Sequence, residues 1–161
     1  MNLKKELPLI LLAIVPFVYL AVIWNHLPET VPLHWNAAGE IDRYGSRKEL
    51  WMIPLMTSGL IYLLMLAVPA IDPKKRIQEM GAKYTQLRYA LVAAMSALAV
   101  VIIYMVERGE RGGLTPVLVI TGLLIAVLGN YMKTVRPNYF IGIRTPWTLE
   151  SPEVWNKTHS L

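Results

Sequence analysis

The chain has 161 residues, of which 55% are hydrophobic and only 17% charged, with a mean hydropathy of +0.42 and a formal net charge of +5. A soluble domain carries about a quarter charged residues, so composition argues against one, and the lack of cysteine excludes disulfides and thiolate metal sites. The positive charge does not point to nucleic acid, because the basic residues sit in blocks beside long uncharged runs.

Four such runs occur: Leu7 to Trp24, Trp51 to Ile71, Tyr89 to Val106, and Leu114 to Met132. None contains Asp, Glu, Lys, Arg or His. A bilayer core about 30 Å thick needs roughly 20 apolar residues per helix. The runs are apolar all round, whereas a helix of a soluble bundle keeps a polar face. The expected fold is therefore all-α, a polytopic membrane bundle of about four transmembrane helices forming a single membrane domain over residues 1–161. Lys4 and Lys5 precede the first run as in a signal peptide, but no small-x-small cleavage site follows Trp24, so a retained span is expected.

The loop Asn25–Leu50 follows. Pro28 and Pro32 hold its start extended, and Val31, Leu33 and Trp35 alternate with Pro32 and His34 as in a short strand. Gly39 and Gly45 mark turns. A small ordered cap is expected. His26, His34, Glu40 and Asp42 carry metal-ligating atoms, but their spacing matches no standard zinc pattern. The plainer expectation is that His34, Asn36 and Asp42 hydrogen-bond within the loop and that no metal or cofactor is bound.

Ser46-Arg47-Lys48-Glu49 has the capping-box form before the second run. Trp24 and Trp51 flank the loop at the span ends, where amphipathic rings suit the headgroup zone. Asp72-Pro73 reads as a cap followed by proline at the first helical position, so the third helix is expected to start there as a basic stalk, Lys74–Lys83, with Gly81 a break. Kinks are expected at Pro16, Pro54 and Pro116. The small residues Gly122, Ala126 and Gly129 recur along the fourth run, predicting close packing on the alanine-rich third run, with a homodimer through the same stripe as the alternative.

Eleven of the sixteen Lys and Arg residues lie on one side of the alternating loops: Lys4, Lys5, Lys74, Lys75, Arg76, Lys83, Arg88, Lys133, Arg136, Arg144 and Lys157. Five lie on the other. The positive-inside tendency places both termini in the cytoplasm and turns the Asn25–Leu50 loop and the short turn Glu107–Gly113 outward.

The segment Gly129–His159, GNYMKTVRPNYFIGIRTPWTLESPEVWNKTH, is too polar to span and too aromatic for a free tail. Asn130, at the end of the fourth run, would need a partner if buried. Arg136, Asn138, Arg144, Thr145, Thr148 and Asn156 are hydrogen-bonding groups among Tyr139, Phe140, Trp147 and Trp155, as in an ordered re-entrant or interfacial loop. Ser151-Pro152-Glu153 predicts a helix from Pro152 onward, with Trp155 and His159 on one face.

This segment closely resembles the signature of the SdpI family, the bacterial sporulation-delaying-protein immunity proteins. The loop VPLHWNAAGEIDRYGSRKE resembles a short membrane domain of unknown function found at their N-termini, through Pro32, His34, Trp35, Asn36, Gly39, Asp42 and Lys48. The resemblance implies a multi-pass protein of the bacterial plasma membrane that protects against a secreted toxic peptide and recruits a cytosolic transcriptional repressor. It implies binding rather than catalysis, with His34, Trp35, Asn36, Asp42, Asn130, Asn138, Arg144, Thr145, Trp147, Trp155 and His159 as candidate binding residues. Family members commonly continue into two further spans, so a shortened chain is expected.

Two other classes are weighed on the residues themselves. A membrane metallohydrolase would use His34 with Glu40 or Asp42, but no His-Glu-x-x-His or nucleophile elbow is present. A small transporter or channel would place polar groups at mid-membrane, where the runs offer only Thr57, Ser58, Ser96, Thr121 and prolines.

Overall fold

The computed structural model describes residues 3–73, 75–109 and 114–160. Lys74 of the basic stalk and most of the expected turn Glu107–Gly113, including Arg111, lie outside the described residues. Helix α1 spans Leu3–Ile23, followed by the antiparallel hairpin β1 Thr30–Trp35 and β2 Ile41–Ser46. A 3-10 turn, Arg47–Trp51, leads into α2 Met52–Pro54, a π-helical turn Leu55–Gly59 and α3 Leu60–Ile71. Then come α4 Arg76–Glu79, α5 Ala82–Arg108, α6 Thr115–Met132, α7 Pro146–Glu150 and α8 Pro152–His159.

Among the described residues four stretches are long and apolar enough to cross a bilayer: Glu6–His26, Arg47–Ile71, Ala82–Arg108 and Thr115–Met132. The protein is thus an all-α polytopic membrane bundle with one small sheet. Its outward apolar side chains need lipid around them: Val22, Leu118 and Ile125 are each at least 65% exposed.

Helix α5 is central, packing against α1, the second span and α6. Its buried row is Tyr84, Arg88, Val92 and Ser96, four residues apart and so on one helical face. Three of these are polar, and each meets a specific need in a neighbour. Proline has no N–H, so a proline inside a helix leaves the carbonyl four residues before it unpaired. Pro16 does this to Leu12, and the Ser96 hydroxyl donates to the Leu12 carbonyl at 2.9 Å. Pro69 does it to Met65, and the Tyr84 hydroxyl donates to the Met65 carbonyl at 2.5 Å. The third, Arg88, makes a two-pronged bond to Glu6 of α1, at 2.8 and 2.6 Å. In lipid no water can satisfy such groups, so a protein partner is required. Ser58, in the π-helical turn just after Pro54, likewise donates to the Ala13 carbonyl at 2.9 Å.

Several local expectations are corrected. Pro116 occupies the first turn of α6, where its missing N–H costs nothing, and so starts the helix rather than kinking it. In the second run a π-helical turn follows Pro54, and Pro69 lies inside α3 as a further proline. The capping box at Ser46 is present, with Ser46 and Glu49 capping each other's backbone, but it opens a 3-10 turn. The third helix does not run on from Pro73. Lys75 takes a left-handed backbone, α4 forms one short turn, the chain breaks at Gly81, and the Asp72 carboxylate instead accepts from the Ile77 N–H at 3.0 Å.

The small-residue stripe of α6 does not pack on α5. A Cβ added at Gly122 or Gly129 would meet nothing within 4 Å. Helix α6 contacts α5 through a different face and buries no residue fully. Spacing alone identifies a stripe but not the direction in which the helix turns it.

Candidate functional site

The candidate residues fall into two groups at opposite ends of α5, one capped by the hairpin and the other by the chain's terminal segment. The 19 helical steps from Tyr84 to Ile103 put the two apolar clusters about 30 Å apart.

At the hairpin end, Val31 is buried and Leu33 and Trp35 pack on a cluster formed by Leu20, Ile23, Leu27, Leu50, Ile103 and Val106. The alternation in β1 therefore seats one strand face on the ends of α1 and α5. The hairpin tip is built around Asn36. Its side-chain oxygen accepts from the N–H groups of Ala38 and Glu40 at 2.9 and 3.0 Å, and its amide donates to the Glu40 carboxylate at 3.0 Å. Gly39, at φ 79°, allows the chain to reverse there. On the solvent side His34 Nδ1 meets Asp42 Oδ1 at 2.6 Å, with both side chains largely exposed.

Glu40 is thus committed to Asn36, and among the described residues no three His, Cys, Asp or Glu side chains converge as metal ligands. The hairpin is fastened by Arg47, which sequence reading left unassigned. Its guanidinium donates to the carbonyls of Trp24 and Leu27 and to Glu29, and lies over the Trp24 ring at 5.0 Å. Trp24 and Trp51 are in tilted contact, with centroids 5.7 Å apart. Between hairpin and second span lies a recess of about 480 Å³, with Leu33, Met52, Ile53 and Met56 on its walls and the Arg43–Glu49 ion pair at its rim.

At the other end the terminal segment folds back onto the helices. Trp155 is fully buried among Val68, Ile77, Met80, Tyr84 and Val135, and its indole N–H donates to the Val135 carbonyl at 2.7 Å. His159 stacks on Trp155 with centroids 4.1 Å apart. His159 Nε2 accepts from the Ile143 N–H at 2.8 Å while Nδ1 faces the Trp155 carbonyl at 2.8 Å, which assigns the ring proton to Nδ1. Asn138 is fully buried with its oxygen and amide both satisfied: it accepts from Phe140 and Ile141 and donates to the carbonyls of Arg136 and Ile141. Thr145 and Thr148 cap each other at the start of α7, and the Thr148 hydroxyl donates to the Ile143 carbonyl at 2.9 Å.

Arg136 ties the segment to α4 through Glu79 at 2.8 Å. The hydrogen bond from Arg76, and then that from Arg136, holds the Glu79 carboxyl below the usual carboxylate range. Arg144 and Trp147 remain outside. Trp147 is 63% exposed, and Arg144 donates to the Tyr139 carbonyl from the surface. Asn130 is also exposed.

The sequence therefore mixed two kinds of residue. Asn36, Asn138, Thr145, Trp155 and His159 shape the two caps from within. His34, Asp42, Asn130, Arg144 and Trp147 face outward, and Trp35 is half-buried between these roles. Sequence reading missed the Glu6–Arg88 pair, Gly142 and the inward role of Thr148. The only available signal for the pair was that Glu6 and Arg88 each abut an uncharged run.

Comparison with known proteins gives matches in both caps. Residues 134–161 match the model of the SdpI/YfhL protein family, and residues 11–57 match a domain of unknown function, DUF1648. The chain is 26% identical over 155 residues to Immunity protein SdpI of Bacillus subtilis strain 168, covering 94% of this chain and 71% of that one. It is 48% identical over 42 residues to an uncharacterized protein of Archaeoglobus fulgidus, covering 26% and 23% of the two chains. No solved structure matches.

Proposed function

We propose that this chain is an SdpI-like immunity protein of the bacterial plasma membrane, acting by binding; the match of its terminal segment to the SdpI/YfhL family model and its similarity to an SdpI immunity protein support this reading. The observation that carries this reading is that its likeness to the immunity protein runs through both caps and the spans between them. The hairpin recess, apolar and methionine-lined with an ion pair at its rim, suits an apolar peptide arriving at the membrane surface. Both termini then lie in the cytoplasm and the hairpin lies outside. On the cytoplasmic side the exposed Tyr139, Ile143 and Trp147, with Arg144, form the surface for a cytosolic repressor.

A hydrolytic reading has less support. His34 and Asp42 pair with each other, Glu40 is held by Asn36, and among the described residues no three metal-ligating side chains converge. A transport reading is weakened because Ser58 and Ser96 are engaged with helix carbonyls.

The test is expression of the chain in a strain killed by the toxic peptide. Survival is expected, and Met52→Ala with Met56→Ala should reduce it while leaving membrane levels unchanged. Full toxin sensitivity despite normal membrane levels of the unaltered protein would reject the immunity role.

A further inference from the structure

Two recesses lie in line along the junction of α5 and α6. The first, about 260 Å³, is at the terminal-segment end and is lined by Lys83 and Gln86 from α5 with Asn130, Tyr131, Lys133 and Thr134. The second, about 320 Å³ and almost wholly apolar, is lined by Ala90, Ala93, Ala94 and Ala97 of α5 facing Ile120 and Val127 of α6, among others. On α5 the positions 83, 86, 90, 93, 94 and 97 follow helical spacing along one face. On α6 positions 120, 127 and 130 do the same, with Thr134 in the turn just beyond the helix end. Residues 83 to 97 cover about 21 Å of helix, somewhat more than the roughly 15 Å of one leaflet's hydrocarbon.

The polar recess is chemically one-sided. It contains two lysines and no carboxylate. Neither Lys83 nor Lys133 forms an ion pair with a described residue, and Glu79 is engaged by Arg76 and Arg136. The Tyr131 hydroxyl donates to the Gln86 carbonyl oxygen at 3.4 Å, which leaves the Gln86 NH₂ free to donate. Lys133 follows the last residue of α6 and Lys83 is in the first turn of α5, so both cations stand at the membrane boundary. Below them the alanines keep α5 thin, and the apolar groove remains open to the lipid.

We propose that this α5–α6 groove is a binding site for one anionic phospholipid, with its phosphate between Lys83 and Lys133 and an acyl chain along the alanine groove. Basic recesses between transmembrane helices hold anionic headgroups through charge and hydrogen bonds. The apolar groove below supplies what a free anion does not use. This site is separate from the hairpin recess and does not depend on the immunity reading.

The full chain, purified in a neutral detergent, would be titrated with phosphatidylglycerol and with phosphatidylcholine of the same chain lengths, and bound lipid read by native mass spectrometry. Phosphatidylglycerol should bind selectively. The Lys83→Gln/Lys133→Gln double variant should weaken it roughly 10- to 30-fold, at about a few-fold per lysine. Ala94→Leu should weaken it by filling the groove. Circular dichroism checks that each variant keeps its helices, and Lys83→Arg/Lys133→Arg should retain binding. Equal binding of the two lipids, or no effect of the lysine variant, overturns the proposal. Displacement by millimolar inorganic phosphate, or indifference to Ala94→Leu, also overturns it, because the site would then be one for a free anion.

Discussion

The Ser96 hydroxyl donates to the Leu12 carbonyl, the acceptor that Pro16 deprives of its helical N–H. The bond crosses from α5 to α1, so a defect within one helix becomes a link between two. A double-mutant cycle tests this. Ser96→Ala should destabilise by about 0.5–1.5 kcal/mol, the range for hydrogen bonds between membrane helices. With Pro16→Ala, residue 16 regains an N–H and the Leu12 carbonyl has its own partner, so the Ser96→Ala cost should shrink. Unfolding in mixed micelles measures it, and strictly additive costs would disprove the link.

Glu6 and Arg88 form the most buried ion pair among the described residues, with each side chain only 11% exposed. Removing one charge strands the other. Glu6→Gln or Arg88→Met alone should therefore cost about 3–5 kcal/mol. The double variant Glu6→Leu/Arg88→Leu should recover most of that loss, because two apolar groups need no partner. Folded yield and thermal midpoint report the result. A double variant as unstable as the worse single one would mean the pair contributes more than mutual neutralisation.

The Glu79 link predicts a pH dependence of fixed sign. Its carboxyl lies below its ordinary value of 4.5 in the folded protein, through Arg76 first and then Arg136. A carboxyl depressed on folding adds stability above its unfolded value, and that stability is lost as pH falls through the lower folded value. The unaltered protein should exceed Glu79→Gln in thermal midpoint near neutrality, and the gap should narrow progressively as pH falls below the ordinary carboxyl value of 4.5. Midpoints that stay parallel down to pH 3 would remove Glu79 from the tether.

Gly142 tests the packing of the terminal segment. Its φ is 110°, and an added Cβ would lie 2.7 Å from His159 Nε2 and 3.0 Å from the Trp155 ring. Gly142→Ala should therefore detach α8 from the bundle at a cost above roughly 2 kcal/mol. Limited proteolysis after Asn138 should accelerate and Trp155 fluorescence should shift to the red. An unchanged digestion pattern would show that the segment tolerates the methyl.

Orientation has a clean assay because the chain has no cysteine. In intact cells Ala38→Cys, at the hairpin tip, should react with a membrane-impermeant thiol reagent, whereas Ser160→Cys should react only after permeabilisation. The reverse pattern would invert the proposed topology.

The sequence by itself determined the number of spans, because a bilayer tests each stretch of about twenty residues separately and hydropathy is a local property. The reach of β1, the capping box at Ser46 and the helix from Pro152 were also legible, since each depends on a few adjacent residues. Only the tertiary structure decided what each polar residue does. Ser96 and Leu12, Tyr84 and Met65, and Arg88 and Glu6 are 84, 19 and 82 positions apart, and helical spacing places a residue on a face without naming the neighbour. For the same reason Gly122 and Gly129 turned away from α5, while Asn138, Trp155 and His159 turned inward and Arg144 and Trp147 stayed outside. Those choices come from which faces meet when four helices pack, and packing is a property of the whole chain.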